Sequence, residues 1–410
     1  MMRKRSGLML LLLLFPWVSQ AQTIIGQYEE EAPLRTWNIA GFIPASGIGR
    51  AEIMTIIADS PAVAFNNPSL IAGLPRVSFY LNGSISRASL FRFGPVNTGV
   101  LKSSQNLWIR TMALDGAGLA LKAGNWALSF GAAITEYYDR PSVLAESVSG
   151  GKTNYQINFS QEGFLRGYNL ALARKLGQKL AIGLALNLSQ GHAQRKIEES
   201  WPLNQISIQD KKEGSLKDQY VRFGLMADIS RSLKIAFALE PAHRLEKESH
   251  SSVEYLAATT GTKITIEDRA SDFIQKPLQL SLAGSYLLGQ QWLFCAEITF
   301  FNWSKYKLTW FSEQETRNFR DVLRLALALE NLTSFRLFHQ NFSLTTRLGL
   351  LIDPQPMKGP RSTYYSVGSG FSLGWKQFRL DFGASWGQEK GSGSSLASFR
   401  SALALNTFFN

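Results

Sequence analysis

The sequence predicts an all-β protein: a 14-stranded antiparallel transmembrane β-barrel with an N-terminal hatch inside its lumen. Three observations carry that expectation. First, many segments alternate with period two. Leu180, Ile182, Leu184, Leu186 and Leu188 face one way, and Ala181, Gly183, Ala185, Asn187 and Ser189 the other. The same split recurs over Asn341–Leu350 and Phe378–Trp386. Second, connections alternate in length, as turns and loops do in outer-membrane barrels. Third, residues 41–75 are apolar yet broken by Gly41, Pro44, Gly47, Gly49, Pro61, Pro68, Gly73 and Pro75, so they suit neither a strand nor a long helix. Such a segment needs a buried place.

In chain order, residues 1–21 read as a secretory signal. Arg3, Lys4 and Arg5 precede a short apolar run from Leu8 to Val18, and Ser19-Gln20-Ala21 forms a small-x-small cleavage site. Residues 22–40 form an extension carrying Glu29-Glu30-Glu31, read as a periplasmic tail. Residues 41–75 are the expected hatch, and 76–410 the barrel. Fourteen alternating segments run from 76–86 to 396–409. Short turns are expected at Gly124-Asn125, Gly177-Gln178, Ser230-Arg231-Ser232, Gly289-Gln290 and Lys376; on that side only 332–340 is longer. Long polar loops are expected at 139–162, 191–217 and 245–273, with 209–217 as a solvated tip. Trp126, Tyr137, Tyr138, Trp292, Trp303, Tyr306, Trp310, Tyr364, Tyr365 and Trp375 fall near strand ends, as an interfacial girdle would. The competing fold is a β-sandwich with the apolar face as its core. The small residues and sparse charges of the other face favour a lumen over a solvated sheet.

Composition excludes several classes. A mean hydropathy of −0.07 rules out a bundle of membrane helices. The single cysteine, Cys295, excludes an intrachain disulfide and a cysteine-based metal site, and reads as a small lumenal or lipid-facing residue. His192, His243, His250 and His339 show no ligand spacing, so no metal and no cofactor is expected. The formal charge of +12 falls by three when the leader is removed. The remaining basic residues are dispersed, which suits outer-membrane lipids and lipopolysaccharide better than nucleic acid. No catalysis is expected. Gly383-Ala384-Ser385-Trp386-Gly387 matches a hydrolase pattern, but it lies within an alternating strand rather than at a strand-to-helix elbow. Gly151-Lys152-Thr153 lacks the upstream glycine of a phosphate loop.

Ser46-Gly47-Ile48-Gly49-Arg50-Ala51, Ile57-Ala58-Asp59 and Asn67-Pro68-Ser69-Leu70 resemble the hatch of the FadL/TodX (OMPP1) outer-membrane transporters, with Ser69 where that family has Ala. Asn302-Trp303-Ser304 and Arg347-Leu348-Gly349-Leu350 running into Asp353-Pro354-Gln355-Pro356 are also similar to that family. The resemblance implies passive uptake of hydrophobic compounds, such as long-chain fatty acids or hydrocarbons, across the outer membrane of a Gram-negative bacterium by a monomer. It also implies a lateral opening at a kinked third strand, for which Gly131 is the candidate. Hatch or gating candidates are Gly47 and Gly49 (tight packing or positive φ), Arg50 and Asp59 (ion pairs to Asp381, Arg347, Arg324 or Glu330), and Asn67 with Pro68 (a rigid turn). Leu293, Phe301, Trp303 and Phe408 are the expected inward-facing ligand contacts, or else pack on the hatch. The alternative function is a binding or anchor subunit of an outer-membrane protein secretion or assembly complex.

Overall fold

A computed structural model describes residues 42–89, 101–104, 109–138, 140–310, 313–315, 319–337, 339–359, 361–391 and 397–409. The expected leader, the extension and Gly41 lie outside the described residues. Fourteen strands form the wall: β1 (Val77–Ser89), β2 (Ile109–Ala123), β3 (Trp126–Tyr137), β4 (Lys152–Leu176), β5 (Leu180–Trp201), β6 (Ile206–Asp228), β7 (Leu233–Glu240), β8 (Gln279–Leu288), β9 (Trp292–Phe301), β10 (Val322–Leu337), β11 (Gln340–Pro354), β12 (Ser362–Trp375), β13 (Phe378–Gly391) and β14 (Ala397–Phe409). Each pairs antiparallel with its neighbours. β1 pairs with β14 from Val77↔Phe409 to Ser89↔Ala397, so the ring closes. Closure leaves the wall without a free edge along its paired length.

Alternation decides which way each side chain faces. Ile182, Leu184, Leu186 and Leu188 are 41–46% exposed on the outside, while Ala181, Ala185 and Asn187 between them are buried. The outer belt continues through Leu348, Leu350, Leu380, Trp386, Leu403, Leu405 and Phe409. So much exposed apolar surface is stable against lipid, not water. Gly124, Gly177, Gly289 and Lys376 take positive φ at the short turns, which makes the hairpins tight.

Two expectations about the wall need correction. The long polar loops are largely β-structure: β4, β5 and β6 run on past the barrel, and 209–217 lies inside β6, not at a tip. Hairpin strands Arg140–Ser149, His243–Ala257 and Thr262–Lys276 extend this sheet. At the far ends of β5 and β6 the side chains are half-buried on both faces over long stretches, so a two-fold hydrophobic pattern is missing there. Of the expected girdle, Trp126, Trp292, Tyr365 and Trp375 are exposed, but Tyr137, Tyr138, Tyr306 and Tyr364 are buried and point inward.

The core lies within the ring. Residues 42–75 carry one helical turn, α1 (Ala45–Gly49), and two 3-10 turns, Pro61–Phe65 and Pro68–Gly73. Their large apolar side chains, including Ile53, Met54, Ile56, Val63, Leu70 and Ile71, pack against small wall residues such as Ala171, Ala185, Ala236 and Ala326. Large-on-small packing lets the segment fill a bore that the wall side chains alone would leave open. A second apolar cluster sits at the long-hairpin end, around Tyr138, Leu165, Leu245, Ile274, Leu308 and Phe319.

Candidate functional site: the interface between the inner segment and the wall

The backbone of the inner segment is irregular, so its polar groups need partners that no ladder supplies. The wall provides them from several directions. Asn82 of β1 accepts from the Ala45 N–H at 2.9 Å. Asn169 of β4 donates to the Ala64 carbonyl at 3.3 Å, and Arg222 of β6 donates to the Phe65 carbonyl. Glu297 of β9 accepts both the Met54 and Thr55 N–H groups, at 3.1 and 3.0 Å. Arg324 of β10 pairs with Glu52 at 3.2 Å, and Arg400 of β14 donates to the Ile43 carbonyl at 3.4 Å.

The charged centre is a closed circuit. Arg50, fully buried, pairs with Asp59 and places Nε 3.0 Å from the Glu330 carboxylate. Glu330 also accepts from Arg347 at 2.8 Å, and Arg347 donates to the Ser372 hydroxyl at 2.6 Å. Ser372 donates to Asp381, which also accepts from Arg379 at 2.9 Å and Asn406 at 2.8 Å. Arg379 then donates to the Asp59 carbonyl at 2.6 Å, returning to the inner segment. Charge-assisted bonds of this kind are stronger than neutral ones, and their shared partners tie the inner segment to β10, β11 and β13. The expectation of sparse lumenal charge is therefore wrong. The inward positions hold many charges, but they are paired and so leave no single-sign field.

Of the partners expected for Arg50 and Asp59, only Glu330 is in direct ion-pair contact. Arg347 and Asp381 join at one remove, and Arg324 serves Glu52 instead. Gly47 and Gly49 serve packing alone, since the positive φ values of this stretch fall on Ala51 and Glu52. A side chain on Gly49 would lie 3.3 Å from the Cα of Gly370 on β12. On β13, one at Gly383 would overlap the Ala45 carbonyl oxygen. Only glycine admits so close a backbone approach. Asn67 caps the turn Pro68–Gly73, accepting from the Ser69 N–H at 3.1 Å, and donates to the Thr55 carbonyl at 2.8 Å. Pro68 occupies the first turn position, where it loses no hydrogen bond.

Gly131 is not a kink. It stays paired to Gly118 on one side and Asn169 on the other, and faces the edge of the Phe65 ring. The irregularity of β3 lies between Ile134 and Glu136, level with a bulge at Asp115 in β2. The β2–β3 ladder ends there, at Gly116↔Ala133.

The four expected ligand contacts do not converge. Phe301 is buried beneath Arg324 and stacks on Trp303 at 6.2 Å, beside the hairpin-end cluster. Leu293, eight residues back along β9 and so about 27 Å away, packs on the apolar cluster that the inner segment and the wall share. Phe408 lies at the turn end under Arg379. Cys295 is lumenal and buried. Ser385 pairs within β13 opposite Gly368 and Arg400, on a strand and not at an elbow. Sequence reasoning missed Glu297, Arg379, Arg222 and Arg400. Each is a charged residue on an inward-facing position, which is the signal that marks it.

A family model described as BamG matches residues 38–388. The chain belongs to the BamG family. A search of curated proteins returns no match. Solved structures share the fold. A Pseudomonas aeruginosa FadL homologue superposes with a TM-score of 0.64 at 13% identity, over 90% of this chain and 100% of that one. The Ralstonia pickettii toluene transporter TbuX gives 0.61 at 15%, over 91% and 100%. The Pseudomonas putida toluene transporter TodX gives 0.59 at 10%, over 90% and 99%. At these identities the likeness establishes a FadL-type barrel and nothing finer about this BamG-family chain.

Proposed function

We propose that this chain is a plugged barrel of the Gram-negative outer membrane that serves as a binding or anchor subunit of a protein assembly or secretion complex. The observation that carries this reading is the wiring of residues 42–75 to the wall. Moving the segment aside for a solute breaks the Arg50–Glu330 and Glu52–Arg324 pairs and frees Glu297 from the Met54 and Thr55 N–H groups, and removing one partner from a buried pair costs about 3–5 kcal/mol. A barrel built to stay shut presents its rims and hairpins rather than a path. Membership of the BamG family supports the same view.

The second reading is passive uptake of hydrophobic compounds, fatty acids or hydrocarbons. The FadL-type fold and the apolar cluster at the hairpin end favour it. Purification of the tagged chain from its own membranes in mild detergent separates the two, with native mass spectrometry of the product. The subunit reading expects a stoichiometric outer-membrane partner, no retained apolar molecule, and unchanged uptake of hydrophobic carbon sources on deletion. A retained apolar molecule, together with lost uptake, overturns it.

A further inference from the structure

The connection after β10 is the one exception among the short turns, and the structure shows what the extra residues build. β10 keeps its ladder with β9 as far as Asn331, opposite Trp292. With β11 it continues through Leu332↔Thr345 to Leu337↔Gln340, so this hairpin projects beyond the rim at the turn end. The Leu332 N–H still reaches the Gln291 carbonyl, at 2.7 Å. Past that bond, Thr333–Leu337 has no strand on its β9 side among the described residues. Antiparallel alternation directs the backbone groups of Ser334 and Arg336 the same way as those of Leu332, toward the open side. Natural edges are usually blunted by proline, bulges or several charges. This one carries Arg336 alone.

On the flank away from the open edge, the same hairpin borders a cleft of about 690 Å³ at the barrel mouth. Ser334, Arg336, Ser343, Lys376, Arg379 and Phe408 contribute to its lining, which includes three cations and no carboxylate. Arg379 is committed to Asp381 and the Asp59 carbonyl, whereas Arg336 and Lys376 are exposed and set the sign of the field.

We propose that Leu332–Leu337 is a docking edge that takes an added β-strand from a partner protein, with an acidic side chain of that strand facing Arg336, the one charge on the edge. Strand addition derives affinity from backbone bonds and specificity from alternate side chains. A phosphate-bearing lipid headgroup meets the cations but leaves the row of N–H and C=O groups unpaired, which favours a peptide. The inference rests on the partner-binding reading above and names its site.

The test uses the purified full chain and a capped ten-residue peptide alternating glutamate with valine, followed by fluorescence anisotropy. Comparators are a lysine–valine peptide and phosphatidylglycerol vesicles. Ser334→Pro removes an N–H on the open side and leaves the pairing to β11 intact. Arg336→Glu reverses the charge on the edge. Binding of the acidic peptide is expected to weaken at least tenfold in each variant, and at least tenfold for the lysine peptide on the unaltered chain. Heat-modified gel migration confirms that the variants fold. Equal binding by Ser334→Pro, or no binding of the acidic peptide, overturns the proposal. Displacement of the peptide by the vesicles, with Ser334→Pro unaffected, overturns it in favour of a headgroup site. A cellular partner that co-purifies with both variants refutes this edge while the subunit reading stands; absence of any partner on the unaltered chain refutes that reading itself.

Discussion

Arg50→Met is expected to destabilise the folded barrel by about 3–5 kcal/mol, the cost of leaving one member of a buried ion pair uncompensated. The reason is local. Arg50 is fully buried and is the cation paired with the Asp59 carboxylate, whereas Glu330 keeps Arg347 at 2.8 Å. Urea unfolding in detergent micelles, monitored by tryptophan emission, measures the loss. The double variant Arg50→Met with Asp59→Leu should recover most of it, because exchanging a buried pair for apolar groups of similar size is often close to neutral. Lys234→Met supplies the contrast. Its pair with Asp228 lies at 3.3 Å with the lysine side chain 48% exposed, so about 0–1 kcal/mol is expected. Equal losses at Arg50 and Lys234 would mean that the circuit does not hold the segment.

Gly383→Val is expected to convert a closed barrel into a conducting one. The added side chain meets the Ala45 carbonyl oxygen, a backbone atom that cannot rotate away. Overpacking of this kind costs about 1–3 kcal/mol, and the way to relieve it is for α1 to leave the β13 wall. Its departure also pulls Ala45 from Asn82 and strains the Arg50 circuit. Planar bilayer recordings should then show stepwise ion conductance where the unaltered chain is silent. Gly284→Val is the control, since the nearest atom to a side chain there is the Lys234 carbonyl oxygen at 3.8 Å. Conductance from both variants would point to general loosening of the wall rather than to the segment.

The wall was legible because lipid and lumen impose opposite demands on alternate residues. Each of the fourteen predicted segments overlaps a wall strand, the differences being the extensions at the hairpin end and the run of β10 through 332–337 at the turn end, where a connection was expected. Those extensions were illegible for the same reason. In 196–213, Lys and Glu stand on both faces and no face is dry, so periodicity has nothing to report. At the inner segment, local chemistry was readable where it depended on near neighbours, as with Asn67 capping its own turn. Partnerships across the chain were not. Glu297 binds N–H groups 242 and 243 positions away, and alternation says only that it points inward. Alternation likewise gives a face but no height, which is why Phe301, at the hairpin end, was grouped with Leu293 and Phe408, which lie at the turn end. Tyr364 shows the converse: it shares the inward register of Ser366, Gly368 and Gly370, and reading that register would have removed it from the girdle.

Everything above depends on residues 42–75 lying within the ring of strands, and a cross-link between Phe65 and Gly131 tests this most directly. A side chain on Gly131 would lie 2.8 Å from the Phe65 ring, so cysteines at both positions, in a Cys295→Ser background, fall within reach of a short bifunctional thiol reagent. The account predicts an intramolecular link, mapped by mass spectrometry, between the peptides holding positions 65 and 131. It also predicts no link when the second cysteine is moved to Gly284. Failure to link, with the cysteine at position 65 open to a bulky membrane-impermeant thiol reagent, would contradict it.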